Sequence, residues 1–222
     1  MGQQLSSDGI KQEFIDLYPN NFGLLSYYLW YDIATLHQNW KNYRIFYGDK
    51  QSVIEVLNDS APTFFSSLER IMRHEIILSI GRLTDPSFSD RKHKNENASL
   101  IRLVEGVIDA LNNETKKEVE EDVKRLEVQA SKIRNLRNKL IAHSDLPTKL
   151  ELKPIPLAGI SLEEVEEMLK SLRNIFNRIE QKFRGSKTNF DGVFSLDDAE
   201  NIIGHLKNSK IYIEQRYLKY KE

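Results

Sequence analysis

The stretch ETKKEVEEDVKRLEVQASKIRNLRNKLIAH, residues 114–143, is the longest helix predicted from the sequence, and it decides the fold class. Its apolar residues, Ile133, Leu136 and Leu140 among them, recur at three- and four-residue spacings and form one stripe. Its N-terminal part is acidic and its C-terminal part is basic, an order that complements the helix dipole. The stretch is therefore predicted to be an amphipathic helix that packs through its apolar stripe.

The same helical period recurs on both sides of this stretch. The further predicted helices lie at residues 21–47, 51–58, 60–84, 98–112, 162–184 and 196–220. Period-two alternation is absent over any useful length, so no sheet is predicted. Long helices joined by mostly short loops indicate an all-α fold, an antiparallel helical bundle of about five to seven helices. The core is expected to come from the segments at 21–47, 60–84, 114–143 and 162–184.

The pattern divides the chain into three parts. Residues 1–20 are polar and are predicted to be an irregular N-terminal extension. Residues 21–185 form the predicted bundle, in which residues 86–97 make a polar loop. Residues 186–222 form a C-terminal helical appendage that is expected to pack on the bundle.

Local signals mark several helix ends. Ser60 is the expected N-cap of the helix at 60–84, which has Pro62 in its first turn. The sequence Thr84-Asp85-Pro86 is a stop, because the residue before a proline disfavours helical backbone. Ser161-Leu-Glu-Glu164 is a capping box that opens the helix at 162–184.

Composition narrows the classes of function. The chain has 222 residues, a net charge of −1 and no cysteine, which excludes disulfides, thiolate-bound metals and a cysteine nucleophile. A globally basic nucleic-acid binder is not indicated, so any nucleic-acid site must be a local patch. No signal peptide or membrane-length apolar run is recognised, and a cytoplasmic protein without membrane contact is expected.

Residues 21–47 are rich in tyrosine and tryptophan, including Tyr27, Tyr28, Trp30 and Tyr31. Aromatic rings can stack on nucleic-acid bases. At helical spacing, however, packing in the core or at a dimer contact is the favoured interpretation.

Histidines are the side chains whose ordinary pKa lies near neutrality, and the chain has five. His74-Glu75 lacks the second histidine of a zinc-binding HExxH helix, so no metal site and no cofactor are expected. His143 differs from the others in its setting. On a helical wheel that starts at Ile133, Arg137 falls at about 40° and His143 at about 280°, on opposite edges of the apolar stripe. A straight helix cannot bring them together, but two such helices about a twofold axis can, and a kink at the helix end is the other way.

These two residue types fit RNA cleavage. His143 can take a proton from a ribose 2′-hydroxyl or give one to a leaving 5′-oxygen. Arg137 offers a permanently charged fork for a phosphate whose charge grows in the transition state. The alternative interpretation is that an arginine and a histidine end a charged helix by chance, where the dipole stabilises the histidine.

Four neighbours of this pair are candidates for supporting roles. Asn138 is a polar neighbour that can orient either group, and Asp145 can fix the tautomer of the histidine. Arg134 and Lys139 are expected to bind flanking RNA phosphates.

The string Arg137-Asn138-Lys-Leu-Ile-Ala-His143 resembles the signature of HEPN domains (higher eukaryotes and prokaryotes nucleotide-binding), an arginine, a polar residue, mostly apolar positions and a histidine. The layout is also similar to the AbiU-type branch, linked to abortive phage infection, over residues 20–185. An early tyrosine- and tryptophan-rich helix, Arg82-Leu-Thr-Asp85 at a helix end, and Ala142-His-Ser-Asp145 carry this second resemblance.

The resemblance implies a HEPN-like bundle that forms a homodimer through the helix at 114–143. It also implies metal-independent cleavage of RNA at a composite site, leaving 2′,3′-cyclic phosphate and 5′-hydroxyl ends. An antitoxin or a nucleotide is a possible further partner. One toxin branch carries a tyrosine shortly after the histidine; Ser144 and Asp145 stand there in this chain, which puts modification by a partner nucleotidyltransferase in doubt.

Three hypotheses follow. The first is a dimeric endoribonuclease of phage defence or stress response that uses Arg137 and His143. The second is a non-catalytic HEPN bundle that binds nucleotide, RNA or a partner protein, favoured by the near-neutral charge and the long polar C-terminal segment. The third is a helical oligomerisation module in which the two residues only end a helix.

Overall fold

The computed structural model describes residues 7–48, 50–90, 95–138, 160–192 and 197–219. Within these residues the fold is an all-α helical bundle with one very short sheet, which confirms the predicted class. The helices are α1 (Ser7–Leu17), α2 (Phe22–Tyr47), α3 (Gln51–Ser60), α4 (Pro62–Leu83), α5 (Leu100–Val107), α6 (Asn113–Leu136), α7 (Leu162–Phe183) and α8 (Asp198–Lys219), and a 3-10 turn spans Ile108–Ala110. None of these helices is long and apolar enough to cross a membrane.

Helix α1 lies where the sequence predicts irregular structure, and that expectation is wrong for residues 7–17. Its Phe14 is fully buried, and the ring packs against Tyr18 and Trp30 with centroids 5.9 and 6.2 Å away. A methyl group on Gly23 of α2 would stand 2.3 Å from the Phe14 carbonyl oxygen, so the two helices meet closely there. A helix this short is marginal alone, and tertiary packing stabilises it.

The predicted loop at 86–97 contains a short hairpin, so the expectation of no sheet is also wrong. Strand β1 (Phe88–Asp90) pairs antiparallel with β2 (Asn95–Glu96). Asn97 closes the base of the hairpin: its backbone N–H donates to the Ser87 carbonyl at 2.9 Å, and its side-chain amide donates to the Pro86 carbonyl at 2.7 Å. Strands of two and three residues are too short to show alternation in the sequence.

The chain forms two compact units. The first comprises residues 1–37 and 77–193, and the second comprises residues 38–76 and 194–222. The core of the second unit is a cluster in which residues of α2, α3 and α4 pack with residues of α8. Its buried members are Phe46, Val53, Leu57, Phe65, Ala199 and Ile203.

Helices α6 and α7 form the centre of the first unit. The start of α6 contacts the end of α7 through Glu118 and Arg178, 3.0 Å apart, and the end of α6 contacts the start of α7 through Lys132 and Glu164, 2.8 Å apart. The two helices therefore run antiparallel. Their fully buried apolar side chains include Leu126, Ile133, Leu172, Phe176 and Ile179.

The helix ends follow the sequence in part. The capping box is present: Ser161 Oγ accepts from the Glu164 N–H at 3.2 Å, and Glu164 Oε2 accepts from the Ser161 N–H at 2.7 Å. Ser60 is not the N-cap of α4, because it is the last residue of α3 and its hydroxyl donates to the Val56 carbonyl. The predicted extension of α6 to residue 143 lies outside the described residues.

Candidate functional site

The ends of α4 and α6 meet at an ion pair within the first unit. Asp85 follows α4, and Arg137 follows the last α-helical residue of α6. Arg137 Nη1 donates to both carboxylate oxygens of Asp85, at 2.9 and 2.8 Å. The side chains are only 19% and 21% exposed, so the pair is more shielded from solvent than an ordinary surface pair.

Arg134 joins the same two helix ends one turn earlier on α6. Its Nη1 donates to the carbonyl oxygen of Thr84 at 2.8 Å. The buried Thr84 hydroxyl donates in turn to the Ile80 carbonyl at 2.7 Å. A guanidinium on the exposed carbonyl groups of a helix end satisfies an acceptor and complements the negative end of the helix dipole. Arg134 thus fixes the C-terminus of α4 to α6.

Gly81 explains how Arg137 reaches across α4. A Cβ atom at position 81 would lie 2.9 Å from Arg137 Cδ and 3.0 Å from Nη1, closer than side chains normally approach. Because Gly81 has no side chain, the aliphatic part of Arg137 can lie directly against the backbone of α4. A side chain with a long apolar stem and a charged head is suited to this placement.

Asn138 holds a second edge of the Arg137 guanidinium. Its Oδ1 accepts from Arg137 Nε at 3.2 Å. Residues 137 and 138 continue the helical backbone of α6, and the Arg137 N–H donates to the carbonyl groups of Ile133 and Arg134.

A polar pocket opens beside the two arginines, between the end of α6 and the hairpin. Its volume is about 470 Å³, and the lining includes Asp85, Ser89, Asn97, Arg134, Arg137 and Asn138. The Ser89 hydroxyl donates to Asn97 Oδ1 at 2.6 Å, which braces the hairpin wall. Two guanidinium groups and one carboxylate line this pocket, so its lining carries a net positive charge in a chain of nearly zero net charge.

Three of the six residues singled out in the sequence belong to this assembly. Arg134, Arg137 and Asn138 lie together at the end of α6. The other three, Lys139, His143 and Asp145, lie outside the described residues. Their expected roles stay predictions.

Asp85 and Gly81 are the two residues in contact with Arg137 that were not predicted from the sequence. In the sequence, Thr84-Asp85 was interpreted as a helix stop and as part of a family resemblance, and no contact of Asp85 was predicted. An acidic residue directly after a helix could have drawn attention, because a carboxylate at the negative end of the dipole is unfavourable without a cation beside it. Nothing in the sequence around Gly81 indicated a close contact at that position.

The histidines inside the described residues show no comparable site. His37 is buried against Phe190, with ring centroids 5.4 Å apart, and its Nδ1 donates to the Ile33 carbonyl at 3.0 Å. Burial lowers the pKa of His37 from its ordinary value. Burial and the neighbouring Arg70 and Arg73 lower the pKa of His74. Among the residues described, no group of three or more metal-ligating side chains is gathered in one place.

Several aromatic residues of α2 pack inside their own unit, which confirms core packing for those side chains. In the second unit Trp40 and Tyr43 are buried and stacked, with centroids 5.6 Å apart. In the first unit Trp30 Nε1 donates to Thr188 Oγ1 at 3.0 Å. Tyr28 and Tyr31 remain half exposed.

Comparison with known families identifies the chain. The model of the AbiU2 family of HEPN domains matches residues 20–204. No curated protein and no solved structure matches the chain. Because the family model spans most of the 222 residues, the chain belongs to the AbiU2 branch of the HEPN superfamily, as its motifs suggested.

Proposed function

We propose that this AbiU2-family chain is a metal-independent endoribonuclease of phage defence or stress response, with a composite site across a homodimer. The observation that carries the proposal is the placement of Arg137. Its guanidinium is held at the edge of a polar pocket, between two helix ends, and it opens the Arg-Asn-x4-His string. A cation held in advance where charge develops is the most effective form of electrostatic catalysis.

The proposed reaction needs one bond to form and one to break. The ribose 2′-oxygen attacks the adjacent phosphorus, and the bond from phosphorus to the 5′-oxygen of the next nucleotide breaks. The 2′-hydroxyl loses its proton and the leaving 5′-oxygen gains one, which gives a 2′,3′-cyclic phosphate and a 5′-hydroxyl. His143 performs one of these proton transfers, and water completes the other. Arg137 stabilises the additional negative charge on the phosphate oxygens.

Neighbouring residues complete the proposed site. Asn138 keeps the plane of the Arg137 guanidinium through its bond to Nε. Asp145 fixes the tautomer of His143, and Lys139 binds a flanking phosphate together with Arg134. Because Arg134 already holds the Thr84 carbonyl, its contribution to RNA binding comes from its remaining N–H groups.

The dimer is part of the proposal. Arg137 and His143 lie on opposite edges of the apolar stripe of a straight helix, so a site that uses both draws them from two chains through the helix at 114–143. An intracellular RNA target in the cytoplasm and an antitoxin or nucleotide that restrains the enzyme belong to the same proposal.

The experiment is RNA cleavage by the purified full-length protein in the presence of EDTA. Wild type is expected to cut a panel of structured and single-stranded RNAs, and Arg137→Ala and His143→Ala to lower the rate by about 10²-fold or more. Arg125→Ala is the matched control, since Arg125 is an exposed arginine on the same helix, paired with Asp122 at 3.4 Å. Dependence on added divalent metal, or full activity in His143→Ala, would contradict the proposal. Nucleotide or RNA binding without any cleavage would instead support a non-catalytic bundle.

A further inference from the structure

We propose that Asp85 is the positioning residue for Arg137. In this role it raises the turnover rate of RNA cleavage and lowers the affinity for RNA. The inference rests on the proposed function, because it assigns Asp85 a role in the same reaction. Asp85 does not touch the RNA in this account. It acts through the guanidinium that it holds.

The geometry fixes two edges of Arg137. Nη1 donates to Asp85 Oδ1 and Oδ2 at 2.9 and 2.8 Å, and Nε donates to Asn138 Oδ1 at 3.2 Å. With Nη1 and Nε both held, the plane of the guanidinium cannot turn about the side-chain stem. Gly81 supports that stem from below. Long side chains otherwise lose considerable entropy when they are ordered on a ligand, and a guanidinium ordered in advance avoids that loss.

Asp85 is itself placed independently of Arg137. Its backbone N–H donates to the Arg82 carbonyl at 3.3 Å, and the preceding carbonyl, that of Thr84, accepts from Arg134 at 2.8 Å. The proline that follows, Pro86, restricts the backbone of Asp85 further. The Asp85 carboxylate therefore has a fixed position, and it determines the orientation of the Arg137 guanidinium.

The sign of the charge makes this role unusual for an RNA site. A carboxylate beside a pocket that receives phosphates repels the substrate, and RNA affinity would be higher without it. A group that served binding alone would be cationic or neutral here. An Asp85 that lowers affinity yet raises turnover is the arrangement expected of an orienting group, because only interactions that are stronger in the transition state raise kcat.

The substitution Asp85→Asn removes the charge and keeps the shape. We expect kcat to fall by about 10- to 100-fold, because a misplaced catalytic group costs rate at this scale. KM is expected to stay the same or to fall, since the repulsion is gone. Asp85→Glu, which keeps the carboxylate, should recover part of kcat. In an Arg137→Lys background, where no fork remains to be aimed, Asp85→Asn should change kcat far less.

Two measurements that need no cleavage separate this inference from the proposed function. The first is binding of a single-stranded oligonucleotide that carries 2′-deoxyribose at every position and so cannot be cleaved by this reaction, measured by fluorescence anisotropy; Asp85→Asn should bind it as tightly as wild type or more tightly. The second is the ¹⁵N–¹H resonance of Arg137 Nε–Hε, assigned with Arg137→Lys, which should shift and broaden in Asp85→Asn. Asp191→Asn is the matched control, because Asp191 pairs with Arg173 at 2.8 Å on the exposed surface of the same unit.

The outcomes are distinct. If wild type cleaves no RNA, the proposed function fails, and an Arg137 resonance that still changes in Asp85→Asn shows that the orientation exists without that chemistry. An unchanged Arg137 resonance overturns the inference, whatever the activity. A kcat loss of equal size in the Arg137→Lys background also overturns it, since Asp85 would then act on something other than Arg137. A raised KM with an unchanged kcat would make Asp85 a binding residue.

Discussion

Gly81 and Arg137 are in contact across the ends of α4 and α6: a methyl group on Gly81 would stand 2.9 Å from Arg137 Cδ and 3.0 Å from Nη1. Glycine in a helix interior costs about 0.5–1 kcal/mol relative to alanine. This position therefore gives up helix stability in order to accommodate the arginine.

Gly81→Ala is predicted to separate stability from activity. The free energy of unfolding should change by less than about 1 kcal/mol, because the gain in helix propensity offsets a clash with a flexible side chain. RNA cleavage should fall clearly, since Arg137 must move. Gly204→Ala on α8, where a new methyl group meets nothing within 4 Å, is the control and should be stable and fully active. Urea denaturation and cleavage assays check both; an unchanged Gly81→Ala rate would contradict the prediction.

Arg134→Ala is predicted to destabilise the first unit by about 1.5–3 kcal/mol, the range for a hydrogen bond to a charged group. The loss comes from the Thr84 carbonyl at the end of α4, which Arg134 Nη1 binds at 2.8 Å. Lys132→Ala, two residues earlier on α6, removes an exposed pair with Glu164 and should cost about 0–1 kcal/mol. Equal effects of the two substitutions, measured by chemical denaturation, would contradict this assignment.

A larger loss of folding stability than for Arg134→Ala is predicted for Arg184→Ala. Glu180 is fully buried, and its carboxylate accepts from Arg184 Nη1 and from the Thr188 hydroxyl, both at 2.7 Å. Removal of the arginine leaves a buried carboxylate with one partner fewer, which costs about 3–5 kcal/mol. Arg173→Ala breaks only an exposed pair and is the comparison. A thermal shift for Arg184→Ala no larger than that of Arg173→Ala would count against the buried network.

The buried His37 predicts a pH dependence of stability. Burial, above all, lowers the pKa of His37 in the folded protein below its ordinary 6.5. The unfolded chain thus takes up a proton at a higher pH than the folded chain does. The free energy of unfolding should fall as the pH drops below 6.5 toward the lowered folded pKa, with a slope of at most about 1.4 kcal/mol per pH unit.

His37→Gln should flatten that part of the stability curve. Urea melts of both proteins across the window below pH 6.5 measure the difference in slope, in which the other titrating groups cancel. Parallel curves for the two proteins would show that His37 has the same affinity for protons in both states.

Much of the fold could be predicted from the sequence because its signals are local. The Ser161–Glu164 capping box and the stop at Thr84-Asp85-Pro86 each lie within four residues, and helical periodicity placed α2, α4, α7 and the start of α6 close to their observed bounds. Helix α1 could not be predicted in this way. Its stability depends on the burial of Phe14 and on a contact between Glu13 and Arg184, 171 residues apart.

The candidate site divides along the same line. Arg137 stood out because it begins a short string that ends in His143. Asp85 lies 52 residues away from it, and the sequence alone gave no reason to bring the two together. The hairpin wall of the pocket was missed for a related reason, since its strands are held by the side chain of Asn97 and have no alternating pattern.

The most direct test of the central claim is a mixing experiment with Arg137→Ala and His143→Ala proteins, each inactive alone. If the site takes its arginine from one chain and its histidine from the other, subunit exchange creates mixed dimers with one intact site. Random exchange makes half of the dimers mixed, with one site of two intact, so about a quarter of the wild-type cleavage rate should return. A mixture that stays inactive after complete exchange, verified by native mass spectrometry, would contradict a composite site.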